Sequence, residues 1–179
     1  MKAQYLPLRD TGVVSELICD YLEGVQRLKA YHNGAPSFEN LHRQALKKKS
    51  SYPSDIRSSL CTVLAMQYKG VETSPKVVEH IKLLEKKTTL TVTTGHQLCL
   101  MTGPLYFIYK IISTIKLSQQ LKKKFSDLDY VPVYWMASED HDYEEISSFF
   151  FKGKKFQWRG IEGGAVGKIK TESLSSLLD

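Results

Sequence analysis

The stretch that most restricts the fold runs from Thr89 to Ala137, where the hydrophobic rhythm changes twice. Thr89 to Thr94 (TLTVTT) is short and rich in β-branched side chains, which crowd a helix and suit a pleated strand. A Gly-containing loop follows, then a long apolar-periodic helix from Pro104 to about Lys124, then a second strand from Tyr130 to Ala137 (YVPVYWMA). Strand, crossover helix, strand is the βαβ unit of a parallel α/β fold, because parallel neighbours cannot be joined by a tight turn. Pro132 blurs the limits of the second strand, since proline has no N–H to give to the ladder.

The preceding residues read as helical, and 1–87 is taken as a helical N-terminal region packing on a core that occupies 88–179. Val13, Val14, Leu17, Ile18, Tyr21, Val25 and Leu28 fall on one face and predict a single helix from Gly12 to His32, ended by Asn33-Gly34. A second helix is expected from Phe38 to Lys49. A third starts near Pro53, turns Ile56, Leu60, Val63 and Leu64 inward and stops at Gly70. Ser74 and Pro75 open a fourth, with Val77, Val78, Ile81 and Leu84 as its buried stripe. Beyond Glu145, Ser147 to Phe151 and Lys155 to Arg159 read as a hairpin joined at Lys152-Gly153-Lys154, Gly160 to Gly167 is loose, and Thr171 to Asp179 starts a helix. Two parallel strands make a small sheet. The chain is therefore expected to be an N-terminal portion of a longer protein, or to need a partner to complete the sheet.

Composition narrows the function classes. The chain is 42% hydrophobic and 25% charged, a mixture that folds rather than staying disordered. Its 25 Lys and Arg against 19 Asp and Glu leave +6, too small an excess to name nucleic acid as a partner. Lys47 to Lys49, Lys86-Lys87 and Lys122 to Lys124 each lie in the last turn of an expected helix, where cations complement the dipole. No run reaches the ~18 apolar residues of a membrane helix, so no membrane partner is expected. Cys19, Cys61 and Cys99 form no CxxC and cannot all pair, which suits a reducing cytoplasm.

Two segments carry chemistry, and both follow a strand. The first is Thr94-Gly95-His96-Gln97, continuing to Gly103-Pro104; the second is Ser138-Glu139-Asp140-His141-Asp142. Ligands of open α/β sheets bind outside the carboxyl ends of the strands, so both segments are expected to face one crevice. Gly95 and Gly103 let backbone N–H groups approach a ligand, and the helix opening at Pro104 suits a phosphate or carboxylate. His96 and Gln97 add side-chain donors, while Tyr106 and Lys110 lie close enough to the loop to reach a ligand. Neither GxGxxG nor GxxxxGK[ST] is present, and glycines that only shape a turn explain the loop equally well. Three carboxylates and an imidazole within four residues supply candidates for a general base or an amine-binding group. A metal is not expected, because adjacent residues rarely converge on one ion. Helix-start capping accounts for one or two of the acids. Cys99 reads as a small buried residue, Trp135 as packed in the sheet, and Phe107, Tyr109 and Ile112 as mostly core.

TTGHQLCLMTGPLYFIYK, continued by IISTIKLSQQL and then VPVYWMASEDHDYEEI, resembles the bacillithiol synthase family, the cysteine-adding enzymes also called BshC. The joint occurrence of TG-x-Q, TGPLY and W-x-ASEDHD carries the resemblance, which is close from Thr93 to Ile146. It implies a Rossmann-like core, a longer protein with a C-terminal coiled coil through which a homodimer would form, and a ligase joining cysteine to the amine of glucosaminyl malate. Such a ligase must activate a carboxylate, which implies ATP with Mg. On this reading Asp140, His141 and Asp142 are catalytic. Thr94, Gly95, His96, Gln97, Gly103, Pro104, Tyr106, Lys110, Ser138 and Glu139 bind substrate or nucleotide. A nucleotidyl transferase or other nucleotide-binding enzyme on a similar core, and a noncatalytic basic module, are the alternatives.

Overall fold

The structure is a computed structural model that describes residues 4–160 and 163–178. The chain divides into two compact units at Val63/Leu64, a boundary inside one helix.

In the first unit the long helix expected over 12–32 is replaced by α1 (Glu16–Glu23) and a 3-10 turn at Gln26–Leu28. Gly24 takes a left-handed φ of 72° and donates its N–H to Asp20 and Tyr21, which ends α1 a turn after Asp20. The buried side chains of α1 are Cys19 and Asp20, whereas Val13, Leu17 and Ile18 are exposed. Asp20 is inside because two guanidinium groups meet it: Arg9 at 2.8 Å, and Arg27. Helix α2 (Phe38–Ser51) is capped by Ser37, whose hydroxyl accepts from the Asn40 N–H. In α3 (Ser54–Gln67), Arg57 and Cys61 are buried while Ile56, Leu60 and Val63 are exposed, so the inward face is turned from the expected one. The Arg57 guanidinium lies over the Tyr52 ring, which accommodates its charge.

The second unit contains the expected βαβ. Helix α4 (Pro75–Leu84) opens with Pro75 at its start and buries Leu84, with Val78 left exposed. Strands β1 (Thr89–His96) and β2 (Asp129–Met136) pair in parallel from Thr89↔Asp129 to His96↔Met136. Helix α5 (Leu105–Lys124) packs on both strands, and α4 packs on the same pair. Leu84, Leu90, Leu121, Leu128, Tyr130 and Val131 are the buried apolar side chains of this layer, joined by the polar Thr89, Thr114 and Ser118. Pro132 sits opposite Val92, on a strand whose other edge pairs with no strand among the described residues, where a missing N–H costs no ladder bond. Lys122 closes the connection from α5 to β2, donating to the Ser126 and Leu128 carbonyls and lying 2.9 Å from Asp129. Tyr109 and Ile112, expected in the core, are exposed, because α5 has only two strands beneath it among the described residues.

After β2, a single turn α6 (Tyr143–Ile146) leads into the hairpin β3 (Ser148–Phe151) and β4 (Lys154–Gln157). Lys152 and Gly153 both have positive φ, 47° and 75°, the conformation that matches hairpin twist, so the turn has two residues rather than three. Tyr143, Ile146, Trp158 and Val166 form a second core cluster, against which Leu100 packs. The helix expected from Thr171 is a 3-10 turn at Glu172–Leu174 followed by α7 (Ser175–Leu178). Asp179, and Ile161 and Glu162 of the stretch read as loose, lie outside the described residues.

Candidate functional site at the carboxyl ends of two parallel strands

β1 runs through Gly95 and His96, so these two residues belong to the strand end and not to the loop. Gly95 faces Trp135 across the ladder, and a Cβ on it would lie 3.1 Å from the Trp135 Cβ and carbonyl. Close strand approach is what this glycine serves. Trp135 is exposed, not packed in the sheet, because nothing among the described residues covers that face at the strand end; its Nε1 donates to Glu139 at 3.3 Å. Thr94 is half-buried and lines an open groove of about 780 Å³ bounded by α4, α5 and the sheet.

His96 is buried, 8% exposed, between β1 and the first turn of α5. Phe107 meets its ring edge-on at 5.8 Å, and the Tyr134 hydroxyl donates to its carbonyl at 3.0 Å. Nε2 lies 2.8 Å from the Tyr106 hydroxyl and 3.2 Å from Glu145 Oε1, while Nδ1 lies 3.2 Å from the Gln97 carbonyl and 3.4 Å from the Cys99 sulfur. Tyr106 in turn donates to Glu145 at 2.9 Å. Hydrogen bonds from Tyr106 first and from the Gln97 side chain second hold the Glu145 carboxyl below its usual range. The same bond to an anion pushes the Tyr106 phenol up. Burial, then the Glu145 charge, pushes the Cys99 thiol up, so Cys99 is a thiol rather than an activated thiolate. Lys110 donates to the Gly95 carbonyl and thereby ties α5 to the end of β1.

Met101, Thr102 and Gly103 take positive φ in succession, 47°, 69° and 59°, immediately before α5, whose N-cap is Pro104. A Cβ on Gly103 would stand 2.6 Å from the Cys99 Cβ, so the side of Gly103 is filled by Cys99.

The second segment is a tight turn. Asp140 Oδ1 accepts from the backbone N–H of His141 at 2.7 Å and of Asp142 at 3.1 Å, and Asp142 Oδ1 accepts from the Glu145 N–H at 3.2 Å as the N-cap of α6. Each aspartate spends one oxygen on the backbone and keeps Oδ2 for another partner. His141 and Glu139 are exposed; Ser138 and Asp140 are half-buried. Behind this turn lies a 3-10 turn at Val166–Lys168, whose Val166 and Gly167 N–H groups donate to the Asp140 and Ser138 carbonyls at 2.7 and 2.9 Å. Only glycine fits at 167, because a Cβ would meet the Ser138 Cβ at 2.6 Å.

The two segments are thus brought together, and the residue that joins them is Glu145. The sequence carried a signal for it, since Asp142-x-x-Glu145 is the spacing of a capping box. The Glu145 side chain does not return to the cap, and reaches His96 and Tyr106 instead. Among the described residues no three His, Cys, Asp or Glu side chains converge as a metal-holding group, and no helix is long and apolar enough to cross a membrane. Of the residues expected to bind substrate or nucleotide, Lys110 donates to the Gly95 carbonyl, His96 lies against Glu145 and Tyr106, and the side of Gly103 is occupied by Cys99.

Over residues 1–179 the chain matches the family described as bacillithiol biosynthesis BshC, N-terminal Rossmann-like domain. It is 46% identical over its full length to a protein of Flavobacterium johnsoniae, and 45% identical over 98% of its length to one of Flavobacterium psychrophilum. A Cytophaga hutchinsonii protein is 42% identical over 96% of the chain. All three bear the name "Putative cysteine ligase BshC". The chain spans 33–34% of their length, about a third.

Proposed function

The chain belongs to the bacillithiol biosynthesis BshC family, as its N-terminal Rossmann-like domain, and we propose that it supplies the amine-binding half of a cysteine ligase active site. The observation that carries this reading is the Asp140–Asp142 turn: two carboxylates pinned through Oδ1 by backbone N–H groups, with Oδ2 open, just beyond the carboxyl end of β2. Carboxylates fixed in this way are suited to hold an ammonium group, and to take its proton before the nitrogen attacks a carboxyl carbon. The amine is that of glucosaminyl malate, and the acyl group that of cysteine. His141, exposed beside the pair, balances their charge, while Ser138 and Glu139 shape the rim. The product is an amide, so the cysteine carboxylate has to be activated, and ATP with Mg is the proposed co-substrate. Its phosphates are not assigned to the residues of this chain.

The experiment uses the complete gene product with glucosaminyl malate, cysteine and Mg-ATP, followed by mass spectrometry for the cysteinyl amide and for AMP or ADP. The amide is expected. Asp140→Asn keeps an oxygen for the turn and removes the base, so ligation should fall ~10²-fold with the fold intact. Unchanged turnover in this variant would remove Asp140 from the role.

A further inference from the structure

Glu145 belongs to neither segment on which the ligase reading rests, yet donors from both the end of β1 and α5 converge on it. Its Oε1 lies 2.9 Å from the Tyr106 hydroxyl and 3.2 Å from His96 Nε2, and the Gln97 side chain is a third donor. Hydrogen positions follow from counting. A phenol has one proton, and Tyr106 gives it to Glu145. His96 Nε2 then faces only lone pairs, those of the Tyr106 oxygen and of the Glu145 carboxylate, so it must carry a hydrogen. Nδ1 faces the Gln97 carbonyl, which accepts a hydrogen there as well, and the Cys99 sulfur, whose S–H can donate to a bare Nδ1, so the contacts fix the hydrogen at Nε2 and leave Nδ1 open to either state. We propose that Glu145 is a positioning residue of the site, acting through Tyr106 and His96: it holds a hydrogen on His96 Nε2 and ties the end of β1 and the first turn of α5 to the turn that carries Asp140 and Asp142.

The geometry favours this over a cap residue with a solvated side chain. Glu145 N–H caps on Asp142 while its carboxylate crosses to another element, so one residue is held at both ends. His96 is buried and cannot reorient without breaking two contacts at once. As a role in ligation this rests on the proposed function; as a hold on His96 it does not.

The test is made on the full-length protein in two independent readouts. Nitrogen-15 NMR of the imidazoles, with His96→Gln identifying the His96 signals, should show a protonated Nε2 in the wild type. Glu145→Ala should convert His96 to a mixture of tautomers while the other histidines stay unchanged. In the ligation assay, Glu145→Gln should lower kcat at least 10-fold with KM moved less than 3-fold, and Tyr106→Phe should add little to it. A His96 that keeps its Nε2 proton in Glu145→Ala overturns the assignment, as does wild-type kcat in a folded Glu145→Gln. If the wild type forms no cysteinyl amide, the ligase reading fails, and the tautomer measurement alone decides the hold of Glu145 on His96.

Discussion

Single side chains set the tolerances of the site. Gly103 combines a φ of 59° with a Cβ direction filled by Cys99, so Gly103→Ala meets both backbone strain and a clash. We expect it to cost about 1–3 kcal/mol in denaturant unfolding. The double variant Gly103→Ala, Cys99→Gly should recover part of that loss, since it relieves the clash but not the strain. Asp20 shows the same dependence on specific partners in the first unit. Its carboxyl is held below the usual range by Arg27 first and Arg9 second, and it is buried beside them. Asp20→Ala should lower Tm by more than Glu79→Ala, which removes an exposed carboxylate paired only with Lys76.

Elements decide which residues those side chains meet. Helix α6 is one turn long, with Tyr143 and Ile146 buried in the second core cluster and Asp142 capping its start, so Asp142→Ala should loosen its first turn by ~1 kcal/mol, read by hydrogen exchange at the Glu145 amide. Asp142→Asn retains the acceptor and should leave that amide protected, which separates capping from any loss of ligation. Most of the element order was legible from period and propensity. Pro75, Gly153 and the β-branched run of β1 each forced one local geometry whatever lay around them. The first helix was not legible as it stands, because the apolar face at Val13, Leu17 and Ile18 reads as a continuous stripe. Gly24 and the two arginines on Asp20 broke it, and the arginines come from eleven residues before and seven after.

At the scale of the molecule, charge and burial give the stability its pH dependence. The carboxyls of Glu145, Glu23, Glu79 and Asp20 are all held below their ordinary values by hydrogen bonds to Tyr106, Arg9, Lys76 and Arg27. A lowered folded-state value means that the unfolded chain takes up protons first, so this stability is complete above the ordinary carboxylate value and is lost as the pH falls through the folded one. The ordinary value for Glu145 is 4.5, and acid unfolding should therefore begin below about pH 4.5. Glu145→Gln should flatten the slope of stability against pH in that window. Leu128, 1% exposed where α5 turns into β2, anchors the parallel layer, and Leu128→Ala should cost about 2–5 kcal/mol.

What the sequence by itself determined is local in cause: β-branched runs that make strands, an apolar-periodic crossover helix, and glycine and proline at turns. From these follow a parallel pair and two polar segments after its strands. That Asp140 and Asp142 would each spend an oxygen on the backbone was partly visible as capping chemistry. The tertiary structure alone decided that Glu145 leaves its own cap for His96 and Tyr106, 49 and 39 positions earlier in the chain, and that Gly167 backs the turn at Ser138. The physical reason is the same in each case. A side chain's nearest partners along the chain are fixed by covalent geometry, whereas its partners across the crevice exist only once β1, α5 and β2 have packed and set the distance between their ends.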